Sequence, residues 1–205
     1  MIRSVFFHIN PRMWFAYVRN KDNRTVHESA KLTAVSALVH NFIMKAGQGY
    51  SGQISIWLRR LMRNTKLMTY GEQKEFAKEL VKNEIEDINA NPWGYCLLKT
   101  RTRERAKCAT GGEPQRHNAA PDICLGCANN LMQEDNSDWN LLHIQAHVEA
   151  LRNPDVPKSF KLASYDIVSK VARHVRAINP AHEALNEIDE LINNFERVQY
   201  NVEVF

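Results

Sequence analysis

The chain has 205 residues, of which 44% are apolar, with 27 Lys or Arg against 23 Asp or Glu. That length carries one medium domain, or two small ones sharing a core. No apolar run approaches the roughly 18 residues that a membrane helix needs, so no membrane partner is expected. The short apolar start, MIRSVFF, has no small-residue cleavage site behind it, so no signal peptide is expected and the cytoplasm follows by default.

The net charge of +4 conceals a gradient. Residues 1–66 carry eleven Lys or Arg against Asp22 and Glu28, a balance of +9. The balance is −3 over 67–95, +3 over 96–130 and −5 over 131–205. A basic N-terminal third points to a polyanion as partner.

Taken in order, Asn10 and Pro11 suit the start of a helix running to about Arg19. KDNR (21–24) predicts a turn. Leu32, Val35, Leu38, Val39 and Phe42 recur at helical spacing over Ser29 to Lys45, with Gly47 and Gly49 behind them as stop signals. Ser51 reads as the cap of a helix carrying Ile54, Trp57, Leu58, Leu61 and Met62. Arg59, Arg60, Arg63 and Lys66 form its basic side, which suits either water or phosphate. Thr69 and Glu72 fit a capping box. The helix behind them is expected to reach about Ala90, with Phe76, Leu80, Ile85 and Ile88 buried, and to stop before Asn91-Pro92.

In LLKTRTRERAK, the residues Lys99, Arg101, Arg103, Arg105 and Lys107 alternate with others. At a period of two they would line one side of an extended strand. Such a row repels itself unless water, salt or a phosphate backbone screens it. Beyond residue 131 three helices are expected: Trp139 to Arg152, Ser159 to Ile178, and one opened by Asn179-Pro180. Tyr165, Val168, Val171 and Val175 are core candidates in the second. Leu185, Ile188, Leu191, Ile192 and Phe195 are those of the third.

Cys96, Cys108, Cys124 and Cys127 are the only cysteines, spaced C-x11-C-x15-C-x2-C. Four thiolates in such a segment suit a closed tetrahedral Zn2+ site with a structural role, since a catalytic zinc keeps one position open. Gly111, Gly112, Pro114, Asn118, Pro121 and Asp122 make the intervening stretch a poor helix or strand, so metal binding would supply its folding energy. His117 is the alternative ligand to Cys108, and four free thiols the alternative to a metal. His143 and His147, four apart on one helix face, form a second conceivable metal pair but fit partly buried or surface histidines better. P-loop, GxGxxG and GxSxG motifs are all missing. The fold class expected is mainly α, a helical protein with a small four-cysteine zinc-ribbon-like insert.

In FFHINPRMWFAYVRN, His8 and Tyr17 are nine residues apart. This resembles the end of the catalytic domain of the tyrosine recombinase, or phage integrase, family. The resemblance implies that Tyr17 is the nucleophile and His8 the late active-site histidine. A tyrosine, with a free pKa of about 10, needs cations and donors around it to attack a phosphodiester. In the family these include two arginines and a lysine upstream, which this chain lacks, and Phe7 stands where a glycine usually precedes the histidine.

The stretch PWGYC, the later cysteines and a helical tail resemble the C-terminal extension of large integrases from mobile elements, with Pro92, Gly94, Cys96, Cys108, Cys124 and Cys127 matching its pattern. The resemblance therefore implies three segments. Residues 1–90 would be a basic helical segment ending a recombinase catalytic domain, 91–130 a metal module, and 131–205 a helical extension. It implies a DNA-binding portion of a site-specific recombinase, inactive alone, with double-stranded DNA and other recombinase subunits as partners. Arg59, Arg60, Arg63, Lys66, Lys99, Arg101, Arg103, Arg105 and Lys107 are the candidate DNA contacts. The alternative is a non-enzymatic helical zinc protein that binds nucleic acid or another protein.

Overall fold

Apolar residues at helical spacing build the first long element. The computed structural model describes residues 21–203, beginning with helix α1 (Lys21–Met44), which buries Val35, Val39, Phe42 and Ile43. KDNR, expected as a turn, is instead the first turn of α1. Asp and Asn favour helix starts as well as turns, because both uses satisfy backbone N–H groups. At the other end the Gly47 N–H reaches the Phe42 carbonyl at 2.8 Å and the Ala46 N–H that of Ile43 at 3.0 Å. This is a Schellman closure with Ala46, at φ 50°, in the left-handed position.

Strand β1 (Tyr50–Ser51) leads through Gly52 into helix α2 (Gln53–Leu61), which a 3-10 turn extends over Met62–Asn64. The expected Ser51 cap is not formed: Gly52 holds the cap position, and Ser51 lies in the sheet. The reason is a close approach. Gly52 has φ 95°, and a Cβ there would overlap the Asn130 carbonyl.

Helix α3 (Tyr70–Glu84) has the expected capping box: Glu72 accepts from the Thr69 N–H at 2.7 Å, and Thr69 Oγ1 accepts from the Glu72 N–H. It buries Ala77 and Val81, with Phe76 and Leu80 packed beside them. It ends six residues before the expected Ala90. Ile85–Asn91 is strand β2, paired antiparallel with β3 (Gly94–Lys99). Asn91 pairs with Gly94, so Pro92-Trp93 is the hairpin turn. Strand pairing overrides the helical spacing of Ile85 and Ile88, since propensity is a weak prior against tertiary context.

The expected extended row from Lys99 to Lys107 is also absent. β3 stops at Lys99, Thr100–Thr102 is a 3-10 turn, and further turns follow, with Arg105 N–H bonded to the Thr102 carbonyl and Ala106 N–H to that of Arg103. Compact turns disperse charges that a flat strand would align. A two-stranded ribbon, β4 (Ala109–Thr110) with β5 (Glu113–Pro114), a 3-10 turn at Arg116–Asn118 and the short helix α4 (Pro121–Cys124) come next. Strand β6 (Asn130–Gln133) completes a four-stranded antiparallel sheet ordered β1-β6-β3-β2.

Four helices follow: α5 (Glu134–His143), α6 (Gln145–Arg152), α7 (Lys158–Ile178) and α8 (Ala184–Glu203). The single helix expected from Trp139 to Arg152 thus starts earlier and breaks at Ile144, which is fully buried at the joint. Asn179-Pro180 does not open the last helix. Asn179 Oδ1 instead accepts from the Ala181 N–H in a local turn, and α8 starts four residues after Pro180.

Neighbouring residues of a strand face opposite ways. Leu131 and Met132 of β6, both without solvent exposure, accordingly join two different cores. Leu131 packs with α1, α2 and α3, and Met132 with α5 to α8. The fold is mainly helical with a small sheet between its two cores. Among the described residues, no helix is long and apolar enough to cross a membrane.

Candidate metal centre and basic surface

The four cysteines come from four places in the fold. Cys96 lies in β3 opposite Asn130 of β6. Cys108 precedes the β4–β5 ribbon, and its carbonyl accepts from the Gln115 N–H at 3.2 Å. Cys124 ends α4, and the Cys127 N–H turns back to its carbonyl at 2.9 Å. All four line one cavity of about 290 Å³, and none is in a disulfide. His117 is not among the lining residues. Among the described residues, no group of three or more His, Cys, Asp or Glu side chains is drawn close enough to form a finished metal centre. The cysteines share the lining of a cavity, but a distinct zinc-ribbon-like cluster is not shown among the described residues.

Electrostatics tie the four together nonetheless. Burial, then the neighbouring Cys127, Cys124 and Cys108, push the Cys96 thiol up to about 12. Burial also raises the Cys124 thiol, against a lowering pull from the Trp93 indole N–H. Loss of hydration and nearby thiols thus disfavour the ionised forms of Cys96 and Cys124. The donor set suits a soft divalent metal, which would hold the thiolates ionised.

Buried polar side chains that sequence reasoning missed hold this region. Asn129 is fully buried. Its amide oxygen accepts from Thr102 Oγ1 and from the Lys99 N–H, and its Nδ2 donates to the Thr102 carbonyl at 3.3 Å. It thereby fixes the turn that carries the chain from Cys96 towards Cys108. His174 of α7 joins three elements: Nε2–H donates to the Leu125 carbonyl at 2.7 Å, and Nδ1 accepts from Ser51 Oγ at 2.8 Å. Leu125 lies between Cys124 and Cys127, so α7 buttresses that loop. Sequence held no signal for these pairings, whose partners stand 27 to 123 residues away.

The predicted basic residues divide. The Arg59 guanidinium donates to the carbonyls of Gly47 (2.9 Å) and Tyr50 (3.0 Å) and lies over the Phe42 ring, which makes it a brace for that loop. Arg60, Arg63 and Lys66 are exposed. Lys99 Nζ sits 4.5 Å from the centre of the Trp57 ring, so the end of β3 meets α2 there; burial lowers its pKa. Arg101 is exposed beside Glu84, at 3.7 Å. Arg103 is paired with Glu86 and Glu113. Arg105 and Lys107 are exposed, and Lys107 lies across Gly126 in the Cys124–Cys127 loop.

His8 and Tyr17 lie outside the described residues. His143 stacks on Trp139 at the surface, and His147 Nδ1 bonds to Ser164 Oγ at 3.2 Å. Burial, then His143, lowers the His147 pKa, with Asp122 opposing. These partners give both histidines structural roles. No protein-family model, curated protein or solved structure matches this chain.

Proposed function

We propose that the chain is the DNA-binding C-terminal portion of a site-specific tyrosine recombinase, held together by a structural Zn2+ on Cys96, Cys108, Cys124 and Cys127. The observation that carries this reading is the meeting of those four cysteines, from 32 residues of chain, in one cavity. Zinc bound there would supply folding energy to a segment with little apolar content. The β4–β5 ribbon and its turns bury few large side chains, which supports a metal in that role.

DNA contact is supported by the cations that remain exposed. Arg60, Arg63 and Lys66 extend from α2 and the turns behind it, and Arg101 follows Lys99, which rests on Trp57 of the same helix. Two basic stretches far apart in sequence thus adjoin. Phosphate contacts of this kind give affinity and position without reading bases. In the recombinase reading, Tyr17 attacks the phosphodiester and His8 assists, with the remaining catalytic groups supplied from outside this chain.

Three measurements test the proposal. Elemental analysis of the full chain is expected to give one zinc per molecule. Binding to labelled duplex DNA is expected to weaken steeply with salt. Removing Arg60, Arg63 and Lys66 together is expected to reduce the log–log slope by about 0.9 for each phosphate no longer neutralised. Salt-independent binding, or none, would overturn the DNA reading. On a nicked suicide duplex the chain alone is expected to form no covalent adduct; an adduct that disappears in Tyr17→Phe would disprove its inactivity.

A further inference from the structure

Leu67 has 99% of its surface in water, more than any other large apolar side chain among the described residues, and belongs to neither core. It stands in the turn that joins α2 and its 3-10 extension to α3. Both shoulders of that turn are fixed. Thr65 is buried, and its N–H and Oγ1 both reach the Met62 carbonyl, at 3.0 and 2.9 Å. The Met68 N–H returns to the Thr65 carbonyl at 3.0 Å, which leaves Lys66 and Leu67 at the apex. Gln73 Nε2 donates to the Met68 carbonyl at 3.3 Å, and the Thr69–Glu72 capping box starts α3 directly behind. A braced backbone thus presents a bare leucine.

Single exposed leucines are ordinary. This one is distinguished by its surroundings. Residues 29–71 hold six Lys or Arg and no Asp or Glu. Of these cations Arg60, Arg63 and Lys66 are exposed, and Lys66 shares the apex. Such a segment attracts a polyanion. An apolar tip among cations suits duplex DNA in one particular way. The minor groove, about 6 Å wide, is too narrow for a helix. Aliphatic side chains do enter it, as wedges between base pairs. Parting a base step costs stacking, which burial of the wedge and the phosphate contacts made along the bent duplex offset. A tip already held in place loses little conformational freedom on insertion.

We propose that Leu67 is a wedge that enters the minor groove of duplex DNA, parts one base step and bends the duplex, with Arg63 and Lys66 on the neighbouring phosphates. This rests on the DNA-binding reading above. A lipid surface is the weaker fit, because its binding grows with buried apolar area and one apex side chain offers little.

The experiment titrates the full chain into a duplex rich in TA steps, which unstack readily. One adenine at such a step is replaced by 2-aminopurine, which brightens when unstacked, and the duplex ends carry a fluorescent donor and acceptor. The wild type is expected to brighten the probe and to shorten the end-to-end distance. Leu67→Ala leaves both cores untouched; it is expected to bind about tenfold more weakly, with no brightening and an unchanged salt slope. Leu67→Met is expected to restore the brightening. Lys66→Ala is expected to reduce the slope by about 0.9 and to keep the brightening. Brightening that persists in Leu67→Ala, or wild-type binding with neither brightening nor bending, would overturn the wedge and leave DNA binding standing. If the wild type binds no duplex, both readings fall. Binding to phosphatidylserine vesicles that Leu67→Ala abolishes, with DNA affinity unchanged, would assign the tip to a lipid surface and overturn the wedge as well.

Discussion

At the scale of single residues, a few buried polar groups matter more than the charged ones. His174 uses both ring nitrogens and has its pKa lowered, first by burial and then by Arg173, with the bond to Leu125 opposing. The sign follows from linkage. The unfolded chain takes up the proton first, near pH 6.5, so stability is full above that pH and falls as pH drops towards the depressed folded value. His147 adds to the same trend. Urea unfolding at pH 7.5 and 5.5 is expected to show lower stability at 5.5, and His174→Gln to shrink the difference. His174→Ala strands the Leu125 carbonyl and the Ser51 hydroxyl, and is expected to cost about 2–3 kcal/mol at pH 7.5.

At the scale of elements, several boundaries depend on backbone conformations that side chains merely permit. Ala46 occupies the left-handed position closing α1, where a Cβ is unfavourable by about 1–2 kcal/mol. Ala46→Gly is therefore expected to raise stability by about 1 kcal/mol in chemical denaturation, after the added entropy of the unfolded chain is counted. Gly52 shows the opposite case. Its φ of 95° and its contact with the Asn130 backbone leave no room for a side chain, so Gly52→Ala is expected to destabilise by several kcal/mol and loosen β1 from β6. Thr69→Ala should cost about 1 kcal/mol through removal of the capping box. Thermal melts of these variants would rank the three effects.

For the whole molecule, β6 is the shared wall. Leu131 and Met132 are adjacent, fully buried and committed to different cores. Each truncation to Ala is expected to cost about 2–5 kcal/mol, and a single cooperative transition should respond to both. Cys127 lies three residues before β6, and Leu125 belongs to the C-terminal core, so the cysteine loop touches the wall and a core at once. If zinc is bound as proposed, chelation should lower Tm by about 10 °C or more, with both cores melting together. Near-ultraviolet circular dichroism of the four tryptophans would follow this.

The amino-acid pattern by itself determined most of the helices, because a 3.6-residue apolar period survives any context that offers one buried face. Val35, Val39 and Phe42, then Val168, Val171 and Val175, are read and found at the core. The Thr69–Glu72 box is equally local. The four cysteines were legible as a group from their clustering, and so was the basic side of α2. Only the tertiary structure decided that Ile85 and Ile88 lie in a strand, since their partners in β3 outweigh their spacing. It also decided that Arg59 is a loop brace and Arg103 an ion-pair partner. Lys99, in turn, meets Trp57 from a different element. The cavity shared by the four cysteines, and the asparagines and His174 around it, depend on contacts across long stretches of chain. Such contacts cost loop-closure entropy and leave no periodic trace in the residues that make them.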